Sequence, residues 1–248
     1  MTWKEEKESI GKAIAEKLYE KGMIRTWYRH KPDGWTLHSG IWSPFYINLR
    51  KLGSYPDLFK MVGEGLAKLI ENDCPDVTKI VGIATAGVPI AASVGICGQI
   101  PVGYTRKMEG VKTIDDFREK ITEYGQHTIV EGDFNDGDNV ALIDDLVTRL
   151  TSKLIAVEQF KAEMNRRGVD AHSDTIIVLL DREQGAAQMA EDNGLKLLSL
   201  IPFQTKAIEW LKDKFAPLEY ETLKDYLRNT EKYQDESIQD ELKKQAEG

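Results

Sequence analysis

The stretch Val140-Ala-Leu-Ile-Asp-Asp-Leu-Val-Thr-Arg-Leu-Thr-Ser152 decides how this chain of 248 residues folds. A short apolar run leads directly into Asp144 and Asp145, a loop rich in hydroxyls follows, and a helix is predicted from about Ser152. In open α/β sheets, ligands bind beyond the carboxyl ends of the strands. Loop amides at a helix N-terminus suit phosphate, and paired carboxylates suit ribose hydroxyls or a hydrated Mg²⁺. The alternative interpretation is an ordinary strand end, with Ser152 as a helix N-cap and a solvated acidic turn.

Short apolar runs alternate with helical patterns on both sides of this stretch. The runs predicted to be strands are residues 79–84, 100–104, 140–143, 175–180 and 195–201. The helical patterns between them lie at residues 88–97, 152–167 and 186–192. Strands that alternate with helices predict crossover units, and continuous apolar runs suit strands buried on both faces. The predicted fold class is therefore α/β, with a central, mainly parallel sheet flanked by helices.

The remaining segments are less regular. Residues 5–21 and 56–72 have apolar side chains at helical spacing, whereas residues 27–50 mix aromatics, Pro and Gly without a helical period. Residues 106–138 carry many charges and little periodicity, which predicts a long loop of the kind that is usually functional or mobile. After residue 204 the chain is helical and increasingly polar, so its end is predicted to be a solvated helix or a frayed tail.

Composition limits the classes of function. The chain has 33 Lys and Arg against 41 Asp and Glu, a net charge of −8, which argues against general nucleic-acid binding but not against a local site for a small anion. Two cysteines, Cys74 and Cys97, argue against a disulfide-stapled secreted fold. Residues 1–11 lack an apolar signal core, and residues 80–100 hold too many glycines for a bilayer-spanning helix. We therefore expect a cytoplasmic protein with no nucleic-acid or membrane partner.

The segment around Asp144 and Asp145 resembles the 5-phosphoribosyl 1-pyrophosphate (PRPP) motif of type I phosphoribosyltransferases: an apolar strand, two acids, two apolar residues, Thr, small residues, then Ser or Thr. Further stretches resemble orotate phosphoribosyltransferases, especially the first domain of eukaryotic UMP synthases. In family order they are Thr36-Leu-His-Ser-Gly-Ile-Trp-Ser-Pro-Phe-Tyr-Ile-Asn-Leu-Arg50, Gly82-Ile-Ala-Thr-Ala-Gly-Val-Pro89, Tyr104-Thr-Arg-Lys107 with Glu123-Tyr-Gly125 and Val130-Glu-Gly132, and Leu179-Leu-Asp-Arg-Glu-Gln-Gly185. The resemblance covers roughly residues 10–205.

This resemblance implies a type I phosphoribosyltransferase domain at residues 1–205, with a small N-terminal hood at about 1–50 and a mobile catalytic loop at about 107–138. A helical extension with a frayed end follows at residues 206–248. The implied reaction is the Mg²⁺-dependent transfer of phosphoribose from PRPP to orotate in pyrimidine (UMP) biosynthesis, which gives orotidine 5′-monophosphate and pyrophosphate. A homodimer is implied as well, because in this family the loop closes over the neighbouring subunit's site.

The resemblance also implies roles for individual residues. The implied catalytic residues are Asp144, Asp145, Arg106 and Lys107, and Lys120 of the loop is predicted to be catalytic as well; the two aspartates are also the implied metal site, through water or substrate. The residues implied to bind PRPP are Thr85, Ala86, Gly87, Asp144, Asp145, Thr148, Arg149, Leu150, Thr151 and Ser152. The residues implied to bind orotate are His38, Phe45, Tyr46, Arg50 and Arg182.

Each of these assignments has a plain structural alternative. Arg106 and Lys107 are compatible with ordinary surface charge, and the turn at residues 84–87 with a tight strand-to-helix connection. Arg182 has a planar guanidinium that suits the orotate carboxylate, but it could instead pair with Asp181 or Glu183. Tyr46 and Arg50 could be core packing and surface charge.

The phosphate turn and the substrate segment depart from the family pattern. Arg149, Leu150 and Thr151 stand where the family has small residues, and a phosphate-wrapping turn often needs φ > 0, which Leu adopts poorly. We therefore hypothesise that the Arg149 side chain binds the phosphate. His38 stands where the family has Lys, and a neutral His lacks that charge.

The predicted catalytic loop departs as well. Thr122 occupies the position of the family's loop Lys, and the loop is longer by about a dozen residues. The candidates to supply the charge are Lys112, Arg118 and Lys120, with His127 nearby. These departures leave an alternative open: a PRPP- or nucleotide-binding paralogue with a regulatory role, or a transferase for another nucleobase.

Overall fold

The computed structural model describes residues 1–37, 40–123 and 127–247. The predicted site residue His38 and the Tyr124-Gly125 pair lie outside the described residues. The strands are β1 (Ile24–Thr26), β2 (Trp35–Thr36), β3 (Trp42–Ser43), β4 (Phe45–Ile47), β5 (Lys79–Gly82), β6 (Val102–Thr105), β7 (Val130–Glu131), β8 (Asn139–Val147), β9 (His172–Asp181) and β10 (Lys196–Pro202).

The helices surround the strands. They are α1 (Trp3–Glu20), α2 (Trp27–His30), α3 (Pro56–Asp73), α4 (Gly87–Gly98), α5 (Ile114–Glu123), α6 (Thr151–Arg167), α7 (Ala186–Asp192), α8 (Ile208–Trp210), α9 (Pro217–Arg228) and α10 (Glu236–Glu247). Short 3₁₀ segments lie at Leu49–Ser54, Lys212–Lys214 and Thr230–Gln234, and a π turn lies at Phe203–Ala207. Within the described ranges, none of these helices is both long and apolar enough to cross a bilayer.

The central sheet has six strands in the order β10-β9-β8-β5-β6-β7. All neighbouring pairs are parallel except β6 and β7, so the predicted α/β class and mainly parallel sheet are confirmed. Alternate side chains of β8 enter two separate cores. Ala141 and Ile143 face the core that includes α1, α3 and α4, whereas Val140 and Leu142 face the core that includes α6 and α7. Because both faces are covered, the strands carry the continuous apolar runs seen in the sequence.

The segment predicted as a loop, residues 106–138, contains a helix that the sequence analysis missed. The hydroxyl of Thr113 accepts the Asp116 N–H at 3.1 Å, and the Asp116 carboxylate accepts the Thr113 N–H at 2.8 Å, so the two residues cap the start of α5 reciprocally. Phe117 is 3 % exposed and packs in the α6-side core. The signal was present as a Thr-x-x-Asp pair ahead of apolar residues at helical spacing.

The C-terminal extension packs against the N-terminal hood. Leu223, Tyr226 and Leu242 are buried in the main core together with hood residues. Glu219 of α9 is 0 % exposed, accepts a hydrogen bond from the Thr26 hydroxyl and pairs with Arg29 at 3.0 Å. The end of the chain, from about residue 228, was predicted to be a solvated helix or a frayed tail. It is helical to Glu247, and most side chains of α10 are exposed or partly exposed, while Leu242 joins the core. Because this part of the sequence is mostly polar, its pattern did not reveal the few side chains that are buried.

Gly87 lies where α4 meets β8, and it provides a test of this packing. A Cβ at this position would lie 2.2 Å from the Ile143 carbonyl oxygen and 3.0 Å from the Asp144 Cα. We therefore expect Gly87→Ala to lower the free energy of unfolding by about 2–3 kcal/mol in urea titrations, because backbone must shift to admit the methyl group. Gly53→Ala is the control, since a Cβ there meets no atom within 4 Å. Equal effects of the two substitutions would contradict this account.

Candidate active site

A cavity of about 550 Å³ lies at the carboxyl ends of β5, β6 and β8. This is the edge of a parallel sheet at which ligands are expected to bind. The predicted site residues that line the cavity are Arg50, Thr85, Ala86, Arg106, Lys107, Asp144, Asp145 and Ser152. The structure thus brings together residues from four of the sequence segments that carried the resemblance.

The acidic pair lies inside β8, which continues to Val147 instead of ending before the acids. Asp144 is 7 % exposed, and its Oδ2 atom lies 2.8 Å from the Nζ atom of Lys153. The same Nζ donates to the Leu146 carbonyl at 2.7 Å. A buried carboxylate requires such a partner, because an unpaired charge there would lose its hydration without compensation.

Sequence reasoning missed Lys153. It lies in the first turn of α6, and its spacing places it on the same helix face as Ala156, Val157 and Phe160, which are all buried. A lysine in phase with an apolar face was the available signal. The partner of that lysine could be identified only once the fold had placed β8 beside α6.

Asp145 is the member of the pair that is free of the lysine contact. Its carboxylate accepts the Leu146 N–H at 2.7 Å and lines the cavity. Burial and the neighbouring Asp144 raise the pKa of Asp145 to about 6, while Lys153 acts in the opposite direction. At neutral pH the group is therefore an ionised acceptor suited to a hydroxyl donor. No cluster of three or more His, Cys, Asp or Glu side chains able to hold a metal occurs in the part of the chain that the structure describes.

The turn at residues 148–152 leads from β8 into α6. Leu150 has φ −80° and ψ −9°, so this turn does not require the positive φ at position 150 that the sequence analysis considered. Its side chain is 0 % exposed in the core, which leaves only its backbone for a phosphate, while Arg149 is exposed. The helix begins at Thr151 with Leu150 as N-cap, so the interpretation of Ser152 as the N-cap is wrong. Among the described residues, no side chain caps this helix.

The turn after β5 is tied to both neighbouring strands. The N–H of Ile83 donates to the Ile143 carbonyl at 2.8 Å, and the N–H of Ala84 donates to the Thr105 hydroxyl at 2.9 Å. The peptide bond between Ala84 and Thr85 is cis. Gly87 is buried against β8 and does not line the cavity, so the structure gives it a packing role, whereas Thr85 and Ala86 face the cavity.

The lysine and arginine side chains predicted to be catalytic differ in whether they reach the cavity. Arg106 and Lys107 follow β6 at the cavity wall, and Arg106 is half-exposed with Glu131 at 3.6 Å. Lys120 of α5 instead donates to the Glu109 carbonyl and is not among the residues that line the cavity. Of the two lysines predicted to be catalytic, the structure brings Lys107 to the cavity but not Lys120.

Arg182 follows β9 at the same edge of the sheet, and its N–H donates to the Val147 carbonyl at 2.9 Å. Its guanidinium carbon lies 4.9 Å from the centroid of the Phe45 ring. Nε and Nη2 are shielded from solvent and have no hydrogen-bond partner among the described residues, and burial lowers the pKa of this guanidinium. Buried donors without partners are rare in folded proteins and indicate a ligand position.

The acids beside Arg182 are engaged elsewhere. Asp181 accepts the N–H of Glu183 at 2.7 Å, and the Glu183 carboxylate accepts the N–H and the hydroxyl of Thr205, each at 2.8 Å. The alternative in which Arg182 pairs with Asp181 or Glu183 is therefore wrong.

The predicted orotate-binding residues of the hood occupy different environments. Phe45 is 1 % exposed and packs on Phe203, with ring centroids 5.0 Å apart. Tyr46 is partly exposed and stacks on Trp35. Arg50 lines the cavity, while Phe45, Tyr46 and Arg182 do not. Phe45 thus serves the core and also supports the Arg182 guanidinium.

Curated relatives and solved structures similar to this chain both include orotate phosphoribosyltransferases. The chain is 34 % identical over 223 residues to the orotate phosphoribosyltransferase of Saccharolobus solfataricus, a match that covers 88 % of this chain and 99 % of that protein. A comparison with models of protein families gave no match.

Solved structures agree with the fold. Leishmania donovani UMP synthase superimposes with a TM-score of 0.69 at 23 % identity over 88 % of this chain, and this chain spans 42 % of that longer protein. Orotate phosphoribosyltransferase from Aeropyrum pernix superimposes with a TM-score of 0.61 at 25 % identity, over 81 % of this chain and 97 % of that one.

The raised pKa of Asp145 predicts a pH-dependent stability. The folded protein binds this proton with a pKa of about 6 against an ordinary 3.8, so wild-type stability falls as pH rises between these values. Asp145→Asn removes the ionised carboxylate and should raise the free energy of unfolding by about 1–3 kcal/mol at pH 7, with no gain near pH 3.5.

Denaturant titrations at a series of pH values test this expectation. Asp213→Asn, at an exposed position, is the control and should change the stability little at any pH. A gain that is constant from pH 3.5 to pH 7, or no gain at all, would contradict the proposed state of Asp145.

Proposed function

Because this chain belongs to the orotate phosphoribosyltransferase family, we propose that it joins orotate to PRPP, forming orotidine 5′-monophosphate and releasing pyrophosphate in de novo UMP synthesis. The product carries a new bond between the base nitrogen and the ribose, and pyrophosphate leaves from the same ribose carbon. Positive charge develops on the ribose in the transition state while negative charge grows on the leaving group. Catalysis then rests on positioning and electrostatics, with no covalent nucleophile.

The cavity residues divide this work among themselves. Asp145 accepts a hydrogen bond from a ribose hydroxyl, and the backbone of residues 148–152, at the uncapped N-terminus of α6, receives the 5′-phosphate. Arg106 and Lys107 supply positive charge beside the leaving pyrophosphate. Arg149 lies exposed on the same turn as these backbone amides, where its side chain can add a further contact to the 5′-phosphate.

The unpartnered guanidinium of Arg182 is the observation that supports orotate most strongly. Its free Nε and Nη2 atoms form a planar pair of donors, which matches the two oxygens of a carboxylate. Orotate differs from uracil by this carboxylate. Because the donors are shielded from water, an uncharged base at this position would leave them without partners, and the cost favours the acid.

Mg²⁺ is part of the proposal, and the acidic pair fits it only in part. Lys153 engages Asp144, so Asp145 is the carboxylate that would hold the hydrated ion together with substrate oxygens. When bound, Mg²⁺ supplies positive charge that stabilises the leaving pyrophosphate. We also place the reaction in the cytoplasm, which agrees with two unpaired cysteines, Cys74 and Cys97.

A homodimer completes the proposal, and an apolar patch supports it. Ile96 of α4 is 81 % exposed, and Val102 and Tyr104 are 40 % and 43 % exposed on one face of β6. Val102 lies directly beside Gly95, so α4 and β6 contribute to one surface. Exposed apolar side chains in such a group are typical of an interface between proteins.

Spectrophotometric orotate consumption with PRPP and Mg²⁺ tests the proposed reaction. We expect turnover by the wild-type protein and a loss of about 100-fold in kcat/KM for Asp145→Asn, because a hydrogen bond to a charged group is removed. Asp213→Asn should keep wild-type turnover. Absent orotate turnover with intact calorimetric PRPP binding would favour the regulatory paralogue, and turnover of hypoxanthine or uracil would show a different base.

Sedimentation velocity tests the dimer. The double substitution Ile96→Glu and Tyr104→Glu should convert a wild-type dimer to monomer, because charges would be buried without partners in the interface. Leu218→Glu introduces the same charge at an apolar position on α9 that is 38 % exposed and should leave the dimer intact. A monomeric wild type, or a double variant that stays dimeric, would contradict the assignment of this surface.

A further inference from the structure

The C-terminal extension reaches the side of the site where Arg182 lies. Tyr226 of α9 is 1 % exposed, and its ring meets the Phe45 ring edge-on, with centroids 5.8 Å apart and planes at 86°. The Arg182 guanidinium lies over the same Phe45 ring at 4.9 Å. Tyr226, Phe45 and Arg182 are therefore linked by consecutive contacts that begin in the extension and end at the unpartnered donors.

Hydrogen bonds and further ring contacts fix the orientation of the Tyr226 and Phe45 rings. The Tyr226 hydroxyl donates to the Trp42 carbonyl at 3.0 Å, and the Ser43 hydroxyl donates to the Phe45 carbonyl at 2.8 Å. Phe203 packs against Phe45, and Tyr233 packs against Tyr226 with centroids 5.5 Å apart. The Phe45 ring is thus held between the end of β10 and helix α9, which leaves it little freedom to tilt.

The electrostatics agree with this geometry. An aromatic face attracts a guanidinium, and the attraction is strongest where water is excluded. Burial lowers the pKa of Arg182, because the charged guanidinium loses hydration. Since Nε and Nη2 have no partner in the described part of the chain, the contact with the Phe45 ring is the one that supports the guanidinium at this end.

We propose that Tyr226 is a positioning residue for the base site, which holds Phe45 beneath Arg182 so that the guanidinium donors meet the carboxylate of the base. The inference rests on the proposed function and assigns to the C-terminal extension a part in selecting the substrate. Tyr226 touches no substrate atom itself and acts through Phe45. The extension thus contributes to specificity as well as to the core.

Selectivity between orotate and its uncharged carboxamide, orotamide, tests the proposal. Tyr226→Leu should raise the KM for orotate by about tenfold, because the edge-on aromatic contact is lost. The KM for PRPP should stay within about twofold, and the preference for orotate over orotamide should fall by about tenfold. Tyr226→Phe retains the ring and should keep most of the preference.

Tyr220→Leu is the matched control. It makes the same change on the same helix at a position that is 6 % exposed, where the hydroxyl binds Glu209 and the ring makes no aromatic contact with Phe45. This variant should keep the wild-type preference for orotate. If Tyr226→Leu does not fold, Phe45→Leu removes the supporting ring directly and should lower the preference by a similar factor.

The outcomes separate this inference from the proposed function. Equal changes in both KM values, or the same loss of preference in Tyr220→Leu, would reduce Tyr226 to a structural residue and overturn the inference alone. A wild-type protein that neither turns over orotate nor binds it in calorimetry would overturn the proposed function and this inference with it.

Discussion

The end of the central strand β8, residues 143–147, holds the segments of the site together. The Ile143 carbonyl accepts the N–H of Ile83 and lies against Gly87, which fixes the turn after β5. The Asp144 carboxylate and the Leu146 carbonyl both bind Lys153, which fixes the start of α6. The Val147 carbonyl accepts the N–H of Arg182. A displacement of this short stretch would therefore displace the turn after β5, the turn before α6 and Arg182 together.

Lys153 and Arg182, two cations near this strand end, differ in whether their buried nitrogen atoms have hydrogen-bond partners. Both carboxylates line the cavity, but Lys153 is paired with Asp144, so Asp145 is the one without a lysine contact. Arg182 has two donors without partners. A buried ion pair can support the architecture, whereas a buried charge without a partner implies a ligand that completes it. In the proposed function, Asp145 therefore takes the ribose and Arg182 the carboxylate of the base.

Local patterns in the sequence predicted the sheet and its acidic pair, because apolar runs and their spacing depend on near neighbours. The helix α5 was also accessible from Thr113 and Asp116 but was overlooked among the charges. The partner of Lys153 and the contact of Tyr226 with Phe45 were not accessible, since both join segments that only the fold brings together. Lys120 was predicted to replace the charge of the family's loop lysine, but it binds the Glu109 carbonyl and does not line the cavity.

The crystal structure of the chain with bound orotidine 5′-monophosphate tests the central claim most directly, since this product joins the three anchoring positions in one molecule. The account predicts the base carboxylate on Nε and Nη2 of Arg182, a ribose hydroxyl on Asp145 and the phosphate on the backbone of residues 148–152. A nucleotide bound elsewhere, or bound in the cavity with the Arg182 donors still unpartnered, would contradict it.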